Sequence, residues 1–117
     1  MEKTEQILLR LMVESWRFSG VFDKALALLD APMQKKFSGR VLWYRKQLND
    51  ALEQAGYQMP AYAGTAYDPG LPLTPLNADE FAVEDCLVVD YMIDPVLLDR
   101  EGNVVQYGTA MLRRAEA

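Results

Sequence analysis

Three pairs of carboxylates are the residues of this sequence whose types and spacing could support chemistry. Two carboxylates can divide the roles of general acid and general base only where burial drives their pKa values apart. The edge of a small sheet offers little burial, so we interpret these pairs as solvated surface. The pairs are Asp79 with Glu80, Glu84 with Asp85, and Asp90 with Asp94 on one face of a predicted strand.

Other catalytic and ligand-binding chemistry has little support in the sequence. The chain has no histidine, the residue that most often serves as a general base near neutral pH and as a metal ligand. Its only cysteine, Cys86, excludes an internal disulfide, and we interpret it as a small buried hydrophobe. The DREGN turn at 99–103 does not match a calcium loop, because Leu97 breaks the ligand pattern. We therefore predict a protein that is not an enzyme and holds neither cofactor nor metal.

The composition is that of a folded, acidic protein. Of the 117 residues, 50% are hydrophobic and 25% are charged, and the formal net charge is -5. Nucleic acid is an unfavourable partner, because neutralising phosphates requires a concentrated basic surface. No stretch reaches the roughly 18 apolar residues of a membrane-spanning helix, and the charged start MEKTEQILLR does not resemble a signal peptide. We expect a cytoplasmic protein that binds neither nucleic acid nor membrane.

The first half of the chain has the apolar spacing of two long helices. Apolar residues recur at alternating steps of three and four, which is a heptad pattern. Pro32 is expected to end the first helix and Gly56 to cap the second. The short connection DAPMQ predicts an antiparallel helical hairpin. The two matching stripes are Leu8, Leu11, Ser15, Phe18, Phe22, Ala25 and Leu29, and then Phe37, Val41, Tyr44, Leu48, Ala51 and Ala55.

The first helix carries a second apolar face, formed by Leu9, Val13 and Trp16. One partner helix cannot cover both faces, so either the strand region or a second copy of the chain must cover the other. The apolar pattern extends over roughly 35 Å at about 1.5 Å per residue, and we therefore predict a homodimer with a four-helix bundle. The residues of the predicted dimer interface are Leu8, Leu11, Trp16, Phe18 and Phe22.

The second half of the chain begins with a proline-rich segment and ends with strands. Prolines and glycines exclude a regular helix or a central strand from residues 57–80, and the fixed proline angles predict an ordered connector. The alternation from Leu87 to Asp94 predicts a strand, and PVLL and VVQYGTAMLRR predict two more. The predicted fold is α+β. It has a helical dimerisation region at 1–56, a connector at 57–80 and a small antiparallel β domain at 81–117.

This order of elements resembles the head region of GrpE-type nucleotide exchange factors, the dimeric partners of DnaK-type chaperones. YDP at 67–69 resembles the Asp-Pro segment that precedes the family's sheet, and GNVVQYGTAMLRR at 102–114 resembles its closing segment. The likeness spans roughly residues 20–115. The chain departs from the family at Pro72, where a histidine is expected, and at Asn103 and Gln106, where arginines are expected.

The resemblance implies adenine nucleotide exchange on a DnaK-type chaperone, or a related form of chaperone binding, with the sheet gripping the partner. A dimeric scaffolding protein with an unrelated protein partner remains the alternative, and an enzyme or small-ligand sensor is a third class. The residues predicted to contact the protein partner are Asp94, Arg100, Glu101, Asn103 and Gln106.

Overall fold

The computed structural model describes residues 2–115, and the chain divides after Gly56 into two compact units. The predicted α+β class with an N-terminal helical hairpin is confirmed. A short 3-10 turn at Ala78–Glu80 is the one helical element of the second unit within the described residues. The elements are α1 (Lys3–Ala27) and α2 (Ala31–Gln54), followed by β1 (Leu73–Pro75), β2 (Leu87–Asp94), β3 (Leu97–Leu98), β4 (Val104–Gln106) and β5 (Gly108–Arg114).

Local capping defines the connection between the two helices. Asp30 is the N-cap of α2, and its carboxylate accepts the main-chain N–H of Met33 at 3.0 Å. Pro32 lies in the first turn of α2, where its missing N–H costs no helical hydrogen bond. The expectation that Pro32 ends the first helix was therefore wrong, because α1 already ends at Ala27 and Pro32 belongs to α2. Neither helix has, within residues 2–115, an apolar stretch long enough to cross a bilayer.

The face that α1 buries is not the one predicted to pack in the hairpin. The buried residues of α1 are Leu9, Val13, Ser19 and Leu26. In contrast, Phe18 of the predicted stripe leaves 65% of its surface exposed. Both faces of α1 repeat at steps of three and four, so their spacing cannot distinguish them. In α2, Val41 and Leu48 are buried as predicted, and Leu52, outside the predicted stripe, is buried with them.

A polar contact joins the two helices beside the apolar one. Arg45 of α2 forms a salt bridge with Asp23 of α1 and donates to the main-chain oxygen of Ser19 at 3.4 Å. Both charged side chains are partly exposed, so the pair contributes at most about 1 kcal/mol. Its main effect is on the register of the two helices, because it holds the second half of α1 next to the middle of α2.

The second unit contains a mixed three-stranded sheet with the order β1-β5-β2. β2 and β5 are antiparallel, from Leu87 opposite Arg114 to Asp94 opposite Thr109, and β1 runs parallel to β5. β3 and β4 form a separate antiparallel ribbon. Two details of the predicted antiparallel sheet were therefore wrong. One strand comes from the connector, and VVQYGTAMLRR forms two strands separated at Tyr107.

The connector at 57–80 is hydrogen-bonded to both sets of strands. Val89 of β2 donates its N–H to the main-chain oxygen of Thr65 at 2.9 Å. Gln58 and Leu98 of β3 exchange two main-chain hydrogen bonds of 2.8 and 2.9 Å. With β1 on the other side of β5, the connector covers strand edges that would otherwise offer unpaired N–H and C=O groups.

The buried side chain of Asn77 joins the connector to β5 through two hydrogen bonds. Asn77 is buried, and its side chain bonds both main-chain groups of Leu112, each at 2.9 Å. A buried polar group that is fully hydrogen-bonded in this way avoids the desolvation penalty of an unpaired one. The apolar core beside it consists of Leu73, Val89, Val96, Ala110 and Leu112.

Gly108 begins β5 at a point where a side chain has no room. A Cβ atom there would lie 2.8 Å from the main-chain oxygen of Asp94 and 2.9 Å from Cγ2 of Val96. The Asp94 oxygen belongs to β2, so the clash is relieved only if the two strands separate. Glycine is therefore required by the close approach of β2 and β5.

We expect Gly108→Ala to lower the free energy of unfolding by about 1–3 kcal/mol, because it overpacks the strand contact. Gly39→Ala is the matched control, since nothing lies within 4 Å of the added methyl group. Alanine in the helix interior should raise stability by up to about 1 kcal/mol. Urea denaturation of both variants measures the difference, and indistinguishable midpoints would contradict this account of Gly108.

Candidate protein-binding surface

Three of the six carboxylates singled out in the sequence contact side chains of β5. A cluster of three or more side chains able to hold a metal ion is absent from residues 2–115. Asp85 also accepts the main-chain N–H of Ala82 at 2.9 Å. The side-chain partners are Arg114 for Asp85 at 3.2 Å, Arg113 for Asp90 at 3.5 Å, and the hydroxyl group of Thr109 for Asp94 at 2.7 Å.

Cys86 is exposed, so its interpretation as a buried hydrophobe was wrong. It lies immediately before β2, and its main-chain oxygen accepts the N–H of Ala115 at 2.8 Å. The main chain at this position thus continues the pairing of the strands while the side chain remains at the surface. Residue type alone favours burial of cysteine, but the end of a two-stranded pair provides no covering layer.

Two of the five residues predicted to contact a partner are half-buried. The Asp94 carboxylate accepts the hydrogen bond from Thr109, and Gln106 donates its side-chain amide to the main-chain oxygen of Pro95 at 3.4 Å. Asp94 therefore helps to join β2 to β5, and Gln106 helps to join β4 to the segment between β2 and β3. Their surfaces are less available to another protein than the sequence suggested.

The other three, Arg100, Glu101 and Asn103, are exposed in the turn between β3 and β4. Asp99 organises this turn. Its carboxylate accepts the main-chain N–H groups of Glu101 at 3.0 Å and Asn103 at 2.9 Å. Sequence reasoning missed Asp99, although an aspartate shortly before a glycine is a typical turn signal, and Gly102 has the positive φ of 83° that favours glycine.

A broad apolar surface, the hairpin face, lies on one side of α1 and the adjoining side of α2. The heptad spacing places its α1 members on one stripe, and Met33 stands three helical turns before Tyr44. Each member leaves between 37% and 65% of its surface exposed. The members are Leu8, Leu11, Phe18, Phe22, Leu29, Met33 and Tyr44. Of the five predicted dimer-interface residues, four belong to this face, and Trp16 is half-buried on the other side of α1.

A groove of about 360 Å³ runs between the helices at the centre of the hairpin face. Buried Ser19 and Val41 form its floor. The Ser19 hydroxyl donates to the main-chain oxygen of Trp16 at 2.7 Å, so it offers the groove no unpaired donor. The groove is therefore suited to apolar side chains. Its lining consists of Phe18, Ser19, Phe22, Arg40, Val41 and Tyr44.

The hairpin face is comparable with the largest apolar patches on soluble monomers, and the exposed carboxylate of Glu14 lies on it between Leu11 and Phe18. Partial exposure of seven large side chains amounts to on the order of 700 Å² of mainly apolar area. The largest apolar patch on a typical soluble monomer covers roughly 300–600 Å². An apolar surface of this extent is typical of a site that binds another protein.

A second groove, of about 320 Å³, lies within the sheet unit beside the YDP motif. Asp68 turns the chain there by accepting the main-chain N–H of Gly70 at 3.0 Å. The Arg114 guanidinium lies 5.4 Å from the centre of the ring of Phe81, one of the residues that line the groove. The groove is lined by Tyr67, Pro69, Ala78, Phe81, Ala82, Val83, Asp85 and Leu87. The motif thus lines a surface groove in addition to shaping the connector.

Comparisons of the chain with models of known protein families, with curated protein sequences and with solved structures found no match. The resemblance to GrpE-type factors therefore rests on the order of the elements and the two short motifs.

We expect Asp99→Ala to lower the free energy of unfolding by about 1–2 kcal/mol, because it removes the acceptor of two main-chain N–H groups. Asn103→Ala should change it by about 0.5 kcal/mol or less, since the Asn103 side chain is exposed and its main-chain bonds remain. Urea denaturation of the two variants tests this difference. An Asn103→Ala variant as unstable as Asp99→Ala would show that the turn depends on a different contact.

Proposed function

We propose that this protein acts by binding other proteins and is not an enzyme. The observation that carries the proposal is the hairpin face, with Phe18 and Leu11 more than half exposed at its centre. Removing apolar surface of this extent from water favours association. Lost freedom of the two molecules and the ordering of side chains oppose it, so the area supports binding but does not set its strength.

The resemblance to GrpE-type factors supports a DnaK-type chaperone as the protein partner, and it is the basis for a cytoplasmic location. In this proposal the turn between β3 and β4 makes the contact, through Arg100, Glu101 and Asn103. Exposure of these three side chains supports the role. The activity would be adenine nucleotide exchange or a related form of chaperone binding.

A scaffolding protein with an unrelated protein partner is the second candidate. The observation that favours it is the identity of Asn103 and Gln106, which stand where the GrpE-type family has arginines. Neutral amides cannot form the bidentate ion pairs that arginine makes with carboxylates. A partner recognised through this turn would then differ from the family's chaperone.

The two candidates differ in their effect on a DnaK-type ATPase from the same organism. A chaperone cofactor should accelerate the release of fluorescently labelled ADP when unlabelled ATP is added in excess. Arg100→Ala combined with Asn103→Ala should abolish the acceleration without changing the melting temperature, because both side chains are exposed.

Val83→Ser is the matched control, since Val83 is fully exposed in the same unit but lies outside the turn. It should retain the acceleration of the parent protein. If the folded parent neither accelerates ADP release nor forms a complex with the chaperone, the cofactor role is wrong and the scaffolding role is favoured.

A further inference from the structure

We infer that the YDP groove binds an extended segment of another protein that contains proline and arginine. The YDP groove is the cavity of about 320 Å³ beside Tyr67 and Pro69 in the sheet unit. It shares no residue with the hairpin face or with the turn between β3 and β4, so the inference goes beyond the proposed function. The apolar walls of the groove, its acidic surroundings and the position of the Arg114 guanidinium together point to this kind of segment.

The walls of the YDP groove are held in place by the fold itself. Tyr67 and Phe81 are half-buried and pack against the core of the sheet unit, while part of each ring remains at the surface. Tyr67 also donates its main-chain N–H to the main-chain oxygen of Leu87 at 2.9 Å. Walls that are formed in advance need little ordering when a ligand binds.

The shape of the YDP groove suits a short extended segment. Its volume is at the lower end of the roughly 300–1,000 Å³ of ligand sites in proteins. Grooves lined by aromatic rings dock proline-rich segments, because the polyproline II helix is already formed in the free chain and loses little entropy on binding. Tyr67, Pro69 and Phe81 provide such a lining. A proline-containing segment of a few residues therefore matches the groove.

The surroundings of the YDP groove are acidic. Residues 57–117 contain ten acidic and three basic side chains, which gives this part of the chain a formal charge of -7. Such a surface attracts a positively charged segment, and complementary charge also speeds the encounter. Five of the carboxylates belong to residues that line the groove or to their immediate neighbours in sequence. The five are Asp68, Asp79, Glu80, Glu84 and Asp85.

A guanidinium group of the chain itself already lies beside two residues that line the groove. The Arg114 guanidinium is 5.4 Å from the centre of the Phe81 ring, and its Nε donates to the Asp85 carboxylate at 3.2 Å. An aromatic face and a carboxylate are the two groups that favour arginine over lysine. The Arg114 side chain is 65% exposed, so water weakens these contacts and an arginine of the bound segment can compete for them.

The test is titration of the isotope-labelled full chain with the synthetic peptide Arg-Pro-Pro-Leu-Pro-Pro-Arg, followed by the NMR shifts of the main-chain amides. The peptide is symmetric, so it presents an arginine in either orientation. We expect a dissociation constant below about 1 mM, with the largest shifts at residues 67–70 and 78–87. A peptide with glutamine in place of both arginines should bind at least about 5-fold more weakly. A peptide with glycine in place of the prolines should also bind more weakly, because a flexible chain must be ordered.

Charge-neutralising variants of the protein test the acidic surroundings. Asp79→Asn combined with Glu84→Gln should weaken binding of the arginine peptide at least about 3-fold, because two carboxylates that face the segment are lost. The matched control is Asp90→Asn combined with Glu101→Gln, which removes the same charge from exposed positions of the same unit outside the groove. The control should stay within about 2-fold of the parent affinity. Neither pair should change the melting temperature, because all four side chains are exposed.

Arg114→Gln should have the opposite effect. It removes the chain's own guanidinium from Phe81 and Asp85, so the arginine peptide should bind at least about 3-fold more tightly. Arg113→Gln is the matched control, because it removes the same charge from the same strand. Arg113 pairs with Asp90 and points to the opposite face of the sheet, so its loss should tighten binding by less than about 2-fold.

Several results would overturn the inference. They are the absence of binding at about 1 mM peptide, equal binding of the glutamine or the glycine peptide, and shifts confined to the hairpin face. Arg114→Gln that binds no more tightly than Arg113→Gln would also overturn it, and so would an Asp79→Asn, Glu84→Gln variant as tight as its control. A DnaK-type chaperone takes no part in these measurements. Failure of ADP release therefore leaves this inference standing, and failure of peptide binding leaves the proposed function standing.

Discussion

A helix that is apolar on two faces needs more than one neighbour, and this constraint on α1 governs what the first unit can do. Burying Leu9, Val13 and Leu26 uses one face. The other face, with Leu11 and Phe18, is left in water in a single copy. Polar residues on the buried face would remove contacts with α2, and polar residues on the exposed face would remove the hairpin face. Stability and binding in this unit thus depend on the same helix.

The second unit meets a different constraint, because a three-stranded sheet of this size has little core of its own. The connector adds a strand and further hydrogen bonds to this sheet. It adds β1, pairs with the outer edge of β2 through Thr65, and fixes Asn77 to both main-chain groups of Leu112. Prolines restrict the unfolded chain at little cost here, since an edge segment has main-chain positions that need no N–H. The connector is therefore part of the β fold.

Local signals predicted the elements that depend on local physics. Period-two alternation identified β2, heptad spacing identified both helices, and short connections predicted the hairpin. The sequence did not predict β1, which has only three residues. β1 is too short to show a period, and its parallel pairing depends on where β5 lies, which is set by contacts far away in sequence. The same holds for Cys86, whose exposure follows from the strand end it occupies.

The sequence by itself determined that the chain is α+β, that its first half is a helical hairpin with excess apolar surface, and that histidine chemistry is absent. Only the tertiary structure decided which α1 face is buried. Both faces have the same spacing, and the choice depends on how closely α2 approaches Ser19 and on the contact of Arg45 with Asp23. The structure likewise showed that the side chain of Asp94 bonds to Thr109 and that of Gln106 to the main chain of Pro95, while Arg100 and Glu101 are exposed. The sequence could not show this, because strand pairing brings together residues that are distant in sequence.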